Sequence, residues 1–152
     1  MLTHAKATLV ASLALLGSAA AAMTPFPAME VFSVTLSPRE QVDFAHPSGG
    51  TGDPDGSGSV KLTVMPVERQ ICYDFSLRGV DTPMMAHVHR GRPLQIGPPI
   101  VSLFTGPGAS TEGCASANTG QLAEMIADPT DYYVTLATTA YPDGALRGQL
   151  AG

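Results

Sequence analysis

Ile71-Cys72-Tyr73-Asp74-Phe75-Ser76-Leu77-Arg78 alternates without a break, with Ile71, Tyr73, Phe75 and Leu77 apolar at every second position. A strand sends successive side chains to opposite faces, so this stretch predicts a half-buried β-strand. Those four side chains are expected in the core, and Cys72 on the polar face. The same signal recurs on both sides of it. Val31–Leu36 places Phe32, Val34 and Leu36 together, and Ser59–Val67 does so for Val60, Leu62 and Val64. Met84–His89, Ile100–Phe104, Tyr132–Thr139 and Leu146–Leu150 follow, separated by stretches rich in glycine, proline and serine. Short strands at this spacing predict an all-β fold, an antiparallel Greek-key sandwich or barrel of about seven to eight strands.

One short helix is expected. Asn118 can cap it, Gln121 stands in capping-box position, and Leu122, Met125 and Ile126 supply an apolar stripe that ends at Asp128-Pro129. Tyr141-Pro142-Asp143-Gly144 reads as a tight turn. Arg90–Pro99 and Thr105–Thr119 read as loops, the second carrying Cys114. Asp53-Pro54-Asp55-Gly56-Ser57-Gly58 begins like a calcium loop, but the twelfth position is Val64 where a bidentate glutamate is required. A glycine-rich turn is the expectation there.

Residues 1–22 have the layout of a secretory signal peptide: Lys6, the ten-residue and largely apolar run Ala7–Leu16, then small residues ending in Ala20-Ala21-Ala22. Ten residues are too few to span a ~30 Å hydrocarbon core. The expectation is cleavage before Met23, a single domain over 23–152, and a secreted or periplasmic (cell-envelope) location. Cleavage removes one of eight basic residues and none of thirteen acidic ones, taking the net charge from −5 to −6. Phosphate contacts need clustered basic residues, so a nucleic-acid partner is not expected. Cys72 and Cys114 are the only cysteines, an even count that predicts one disulfide in an exported chain.

The candidate chemistry lies in Ala86-His87-Val88-His89-Arg90-Gly91, followed by Gly97-Pro98-Pro99. On a strand His87 and His89 share a face, close enough for both imidazoles to reach one copper or zinc ion. His46, Met84 or Met85, or a carboxylate would complete the shell, and a thioether would favour Cu(I). The alternative is structural, with both imidazoles hydrogen-bonding the Arg90–Pro99 loop onto the strand, and it stands ahead of the metal reading. Arg90, Arg92 and Arg147 form a small basic patch if the C-terminal hairpin lies beside the histidines. Arg147 is expected on the sheet surface, paired with a carboxylate. The chain has no G-x-S-x-G elbow, H-E-x-x-H pair or phosphate-binding glycine loop, and no catalytic residue is assigned.

Three pieces fall into one order: Ala86-His87-Val88-His89-Arg90-Gly91 with Gly97-Pro98, then Tyr132-Tyr133-Val134, then Pro142-Asp143-Gly144-Ala145-Leu146-Arg147-Gly148-Gln149-Leu150. In this the chain resembles the chordin-type (CHRD) domain in its microbial exported form, from about Val31 to Leu150. Ile71-Cys72-Tyr73 and Gly113-Cys114 fit the same pattern. The resemblance implies a secreted or surface protein, a non-enzymatic structural or binding module for an extracytoplasmic protein or polymer. In animal chordin such domains belong to an extracellular antagonist of bone morphogenetic proteins, alongside cysteine-rich modules that this sequence lacks. The chain is more loosely similar to the copper/zinc superoxide dismutase barrel, where an H-x-H pair binds copper. That site needs further histidines and an aspartate, whereas only His46, His87 and His89 follow residue 22. Dismutase activity is therefore not expected.

Overall fold

The computed structural model describes residues 28–150. The expected signal peptide, at 1–22, lies outside them. Eight strands form two antiparallel four-stranded sheets. The first is ordered β1 (Glu30–Leu36), β2 (Ser57–Met65), β3 (Gln70–Arg78), β6 (Glu112–Ser116). The second is ordered β5 (Pro99–Thr105), β4 (Pro83–Arg90), β7 (Tyr132–Thr138), β8 (Leu146–Gln149). Strands β3 to β6 make a Greek key, since β6 returns beside β3 after the β4–β5 hairpin. On the opposite side the sandwich nearly closes: Ser37 and Arg147 exchange backbone hydrogen bonds of 2.8 and 3.1 Å, joining the end of β1 to β8.

Alternation decides what fills the core. Val34, Leu36, Val60, Leu62, Val64 and Ile71 point inward from the first sheet, and Ala86, Val88, Val134, Leu136 and Leu146 meet them from the second. Tyr73, Phe75 and Phe104 add a cluster of rings with centroids 5.7–6.0 Å apart. Leu103 and Phe104 are consecutive yet both buried. The cause is an irregularity in the β4–β5 register, which passes from Ala86↔Phe104 to His87↔Ser102 and leaves Leu103 unpaired. The helix α1 (Thr119–Ala127) adds Leu122 and Met125 to the core. Asn118 Oδ1 caps it by accepting from the backbone N–H groups of Gly120 and Gln121. Gln121 makes no return bond among the described residues, so the capping box is half made.

The expected Thr105–Thr119 loop is corrected. Five of its residues are the strand β6, paired to β3 with Cys72 opposite Cys114. The two cysteines form a disulfide with Cα atoms 3.9 Å apart, so the bridge ties β3 to the edge strand paired beside it and not to a loop. Glu-Gly-Cys-Ala-Ser shows no apolar alternation because β6 is exposed at four of its five positions. The Asp53–Gly58 stretch is a turn leading into β2, with Asp53 Oδ1 accepting from Asp55 N–H at 3.2 Å. No described helix is long and apolar enough to cross a membrane.

Candidate functional site

The outer face of the second sheet carries the site. Register fixes its rows: His87 lies opposite Thr135, which lies opposite Arg147, and His89 lies opposite Tyr133, which lies opposite Gln149. Met85 stands one step further along β4, opposite Ala137. Ala86 and Val88 take the core, so Met85, His87 and His89 share the outer face, as period two requires. This face is not open to solvent. Tyr133 and Ala137 are each 3 % exposed and Arg147 2 %. β7 is covered on both sides, by the core on one and by loop 91–98 with Gln41 and Val42 on the other.

The loop is held almost entirely through its backbone. His89 Nδ1 donates to Gly97 O at 2.9 Å, and Gly97 N–H donates to the Tyr133 hydroxyl at 3.1 Å. Arg147 Nη2 donates to Arg92 O at 3.0 Å, and Gln149 Nε2 to Gly91 O at 2.9 Å. Tyr133 stands between its neighbours, with the His89 ring stacked at 4.9 Å and 13° and the Arg147 guanidinium carbon 3.5 Å from its centroid. β4 and β8 flank β7, so the three groups form a stack across the sheet. Gly97 admits no side chain, because a Cβ there would collide with the carbonyl oxygen of Arg90.

Arg147 is therefore a correction. It is not a surface residue paired with a carboxylate; among the described residues no carboxylate lies within 4.0 Å of its guanidinium. Tyr133 and the loop bury it instead. Arg90 and Arg92 are rim residues, bonded to Glu124 at 3.3 Å and Asp131 at 2.9 Å. His46 is exposed and its Nδ1 lies 3.1 Å from Asp43. No group of three or more His, Cys, Asp or Glu among the described residues could hold a metal, so His46 is not brought to the pair. Gln41, Tyr133 and Gln149 are site residues that the sequence reading misses. Tyr133 and Gln149 sit inside the quoted motifs, whereas nothing around Gln41 sets it apart. Its Nε2 donates to Asp143 O at 2.8 Å, leaving Oε1 buried without a partner.

Between these groups lies a cleft of about 300 Å³, lined by Val42, Met85, His87, His89, Ile96 and Arg147 among others. A carbonyl only accepts, so His89 must carry its proton on Nδ1, and the neutral ring keeps its lone pair on Nε2. Burial pushes the pKa of His89 down, the bond to Gly97 raises it, and the nearby His87 and Arg147 lower it further. Burial alone lowers His87. Both rings thus bind protons less readily when folded than when unfolded, where a histidine titrates near about 6.5. The unfolded chain takes up more protons as pH falls through that value, so stability is fully present above it and drops on acidification. Denaturation from pH 7.5 to 5 is expected to show that loss, and His87→Asn/His89→Asn to flatten it. An equal acid limb in the double variant would place the titration elsewhere.

No curated protein and no solved structure matches the chain. The family model of the CHRD domain matches residues 32–150, which is most of the chain and includes all eight strands but the first two residues of β1. That family is of the binding or structural module kind, and together with the disulfide it is consistent with an extracellular location. The loop clamp supplies the physical content of the motifs, since His89, Tyr133, Arg147 and Gln149 all bond or stack under the loop that ends at Gly97-Pro98. By its strands, its disulfide and its matched span, this chain belongs to the CHRD domain family.

Proposed function

We propose that this protein is an exported, non-enzymatic binding module whose partner engages the cleft above His87, His89 and Arg147. One observation carries the reading: the outer face of the second sheet is preorganised around a roofed cleft rather than left as a solvated face. Pockets in which a few fixed polar groups converge within apolar walls are the usual form of a ligand site. The segment 1–22 and the disulfide support export. Export is tested by the N-terminus of the protein recovered from periplasm or medium, which is expected at Met23. Binding is tested by capture from envelope extract or culture fluid, comparing wild type with Ile96→Trp. Ile96 is a half-exposed cleft residue, so the indole adds bulk at the cleft without disturbing the core. A partner kept by wild type and lost by Ile96→Trp supports the reading; equal retention, or no partner, defeats it.

A second reading, a copper carrier, has its own observation. The imidazole centroids of His87 and His89 are 5.9 Å apart. Two rings sharing an ion at ~2.0 Å through one nitrogen each would have centroids roughly 5.5–6.3 Å apart, between trigonal and linear angles. Met85 lies on the same face and lines the same cleft. Two imidazoles and a thioether suit Cu(I), and the Arg147 cation opposes a divalent ion such as zinc. Stoichiometric Cu(I) uptake that His87→Asn/His89→Asn abolishes supports a carrier. Uptake that survives the double variant rules it out.

A further inference from the structure

Arg147 is almost fully buried, and among the described residues no carboxylate lies within 4.0 Å of it, Glu40 acting on it only from further off. Taking a guanidinium out of water costs several kcal/mol, and buried charges are ordinarily matched by an opposite charge. Here the close compensation is the Tyr133 ring and the single bond to Arg92 O, with Glu40 a more distant counter-charge. A guanidinium has five N–H donors in a planar fork, so most of its capacity is unused. Nε and Nη1 make no hydrogen bond to the described residues. Neither is sealed away without a partner, because Gln41 Oε1 is the sole side-chain atom in that condition among the described residues. Arg147 lines the cleft, which is where a ligand can reach those donors.

The rest of the cleft is mainly apolar. Val42, Met85, Ile96, Pro99 and Ala137 give it apolar walls, Gln41 and Thr135 add polar ones with the exposed Asp143 at the rim, and burial favours the neutral form of His87 and His89. A mainly apolar enclosure whose one cation is Arg147 fits a ligand that has one anionic end and one apolar end. Its volume of about 300 Å³ is at the small end for ligand pockets, enough for one branched aliphatic or aromatic group. Charge-assisted hydrogen bonds from arginine to carboxylate are strong and directional.

We propose that the cleft binds a carboxylate carried on a compact apolar stem, with the carboxylate on the open edge of Arg147 and the stem against Val42, Met85 and Ile96. This deepens the binding-module reading and rests on the cleft being its binding face. The same chemistry is offered by a free organic acid and by the C-terminal residue of a polypeptide.

The test is an NMR titration of the disulfide-bonded protein at pH 7.5 and fixed ionic strength. Its probes are N-acetyl-leucine, 4-methylpentanoate and, as the uncharged counterpart, N-acetyl-leucinamide. Both acids are expected to shift the Arg147 side-chain and His87/His89 ring signals and to bind about tenfold or more tightly than the amide. The tighter of the two acids then identifies the source as polypeptide terminus or free acid. Arg147→Met keeps the apolar stem of the side chain and is expected to lose the preference for acid over amide. Equal binding of acid and amide by wild type, or shifts away from the cleft, overturns the proposal whether or not the variant folds. Cleft-dependent partner capture that the acids do not compete overturns the carboxylate assignment and leaves the module reading standing. Acid binding with no cleft-dependent partner does the reverse.

Discussion

Replacing Cys72 and Cys114 together by serine will lower the stability of the oxidised protein by about 3–4 kcal/mol, the chain-entropy value for a loop of this length. The bridge closes a sequence separation of 42 residues. Its weight is large because little else holds β6. Only Ala115 in that strand is even half-buried, and packing one alanine side chain is worth about 1 kcal/mol or less. β6 is also the outermost strand of its sheet, so its loss turns β3 into an edge. An exposed edge that alternates as regularly as Gln70–Arg78 is a template for pairing with another chain. The double serine variant is therefore expected to lower the urea midpoint and to aggregate near its transition. Hydrogen exchange should quicken first at the β3–β6 ladder. A cost under about 1 kcal/mol would mean that β6 is held by its backbone ladder and not by the bridge.

The contrast between β3 and β6 shows what the sequence could disclose. Ile71, Tyr73, Phe75 and Leu77 are legible because one face of β3 meets the core and the other is polar, so burial is written as a period of two. β6 leaves no such trace, because a strand exposed on nearly every residue has no face to encode. Arg147 fails for the converse reason. β8 is buried on both faces at Leu146, Arg147 and Gly148. An arginine in a short run reads as solvent-facing unless one knows that a loop from elsewhere closes over it. That loop, 91–98, is brought there by backbone carbonyls at Gly91, Arg92 and Gly97, and a backbone acceptor carries no side-chain signature.

The histidine pair was half legible. Placing His87 and His89 on one face needs only the strand period, and both do share the outer face of β4. Whether they face water, metal or a roof depends on residues far away in sequence. Tyr133 stacks on His89 across a separation of 44 residues, and Gly97 accepts its proton across 8. The structural role inferred for the imidazoles is met by His89, whose Nδ1–H holds the loop. His87 makes no hydrogen bond among the described residues and is the freer of the two. Any chemistry in the cleft falls more heavily on it.

Arg147→Ala is expected to cost about 3 kcal/mol, whereas Arg147→Met is expected to stay within about 1 kcal/mol of wild type. The alanine variant loses the cation–π contact, worth up to ~2 kcal/mol when desolvated, and a charge-assisted bond of roughly 1.5–3 kcal/mol. It also empties the space of a long, nearly fully buried side chain, for which truncations of similar length cost ~2–5 kcal/mol. Relief of the buried charge offsets several kcal/mol of that sum, leaving the net value near ~3. Methionine keeps most of the volume and the contact with Tyr133 and removes the charge. Replacing buried charge by a well-packed apolar group is often neutral, and the Arg92 carbonyl that loses its donor lies on an exposed residue water can reach. Chemical denaturation of the two variants, with hydrogen exchange at Gly91 and Gly97, measures both effects. A methionine variant as unstable as the alanine one would make the guanidinium a structural clamp whose bond to loop 91–98 outweighs its own desolvation. A stable methionine variant means that the fold does not need the charge, and a charge buried at a cost the fold does not require is retained for what it binds.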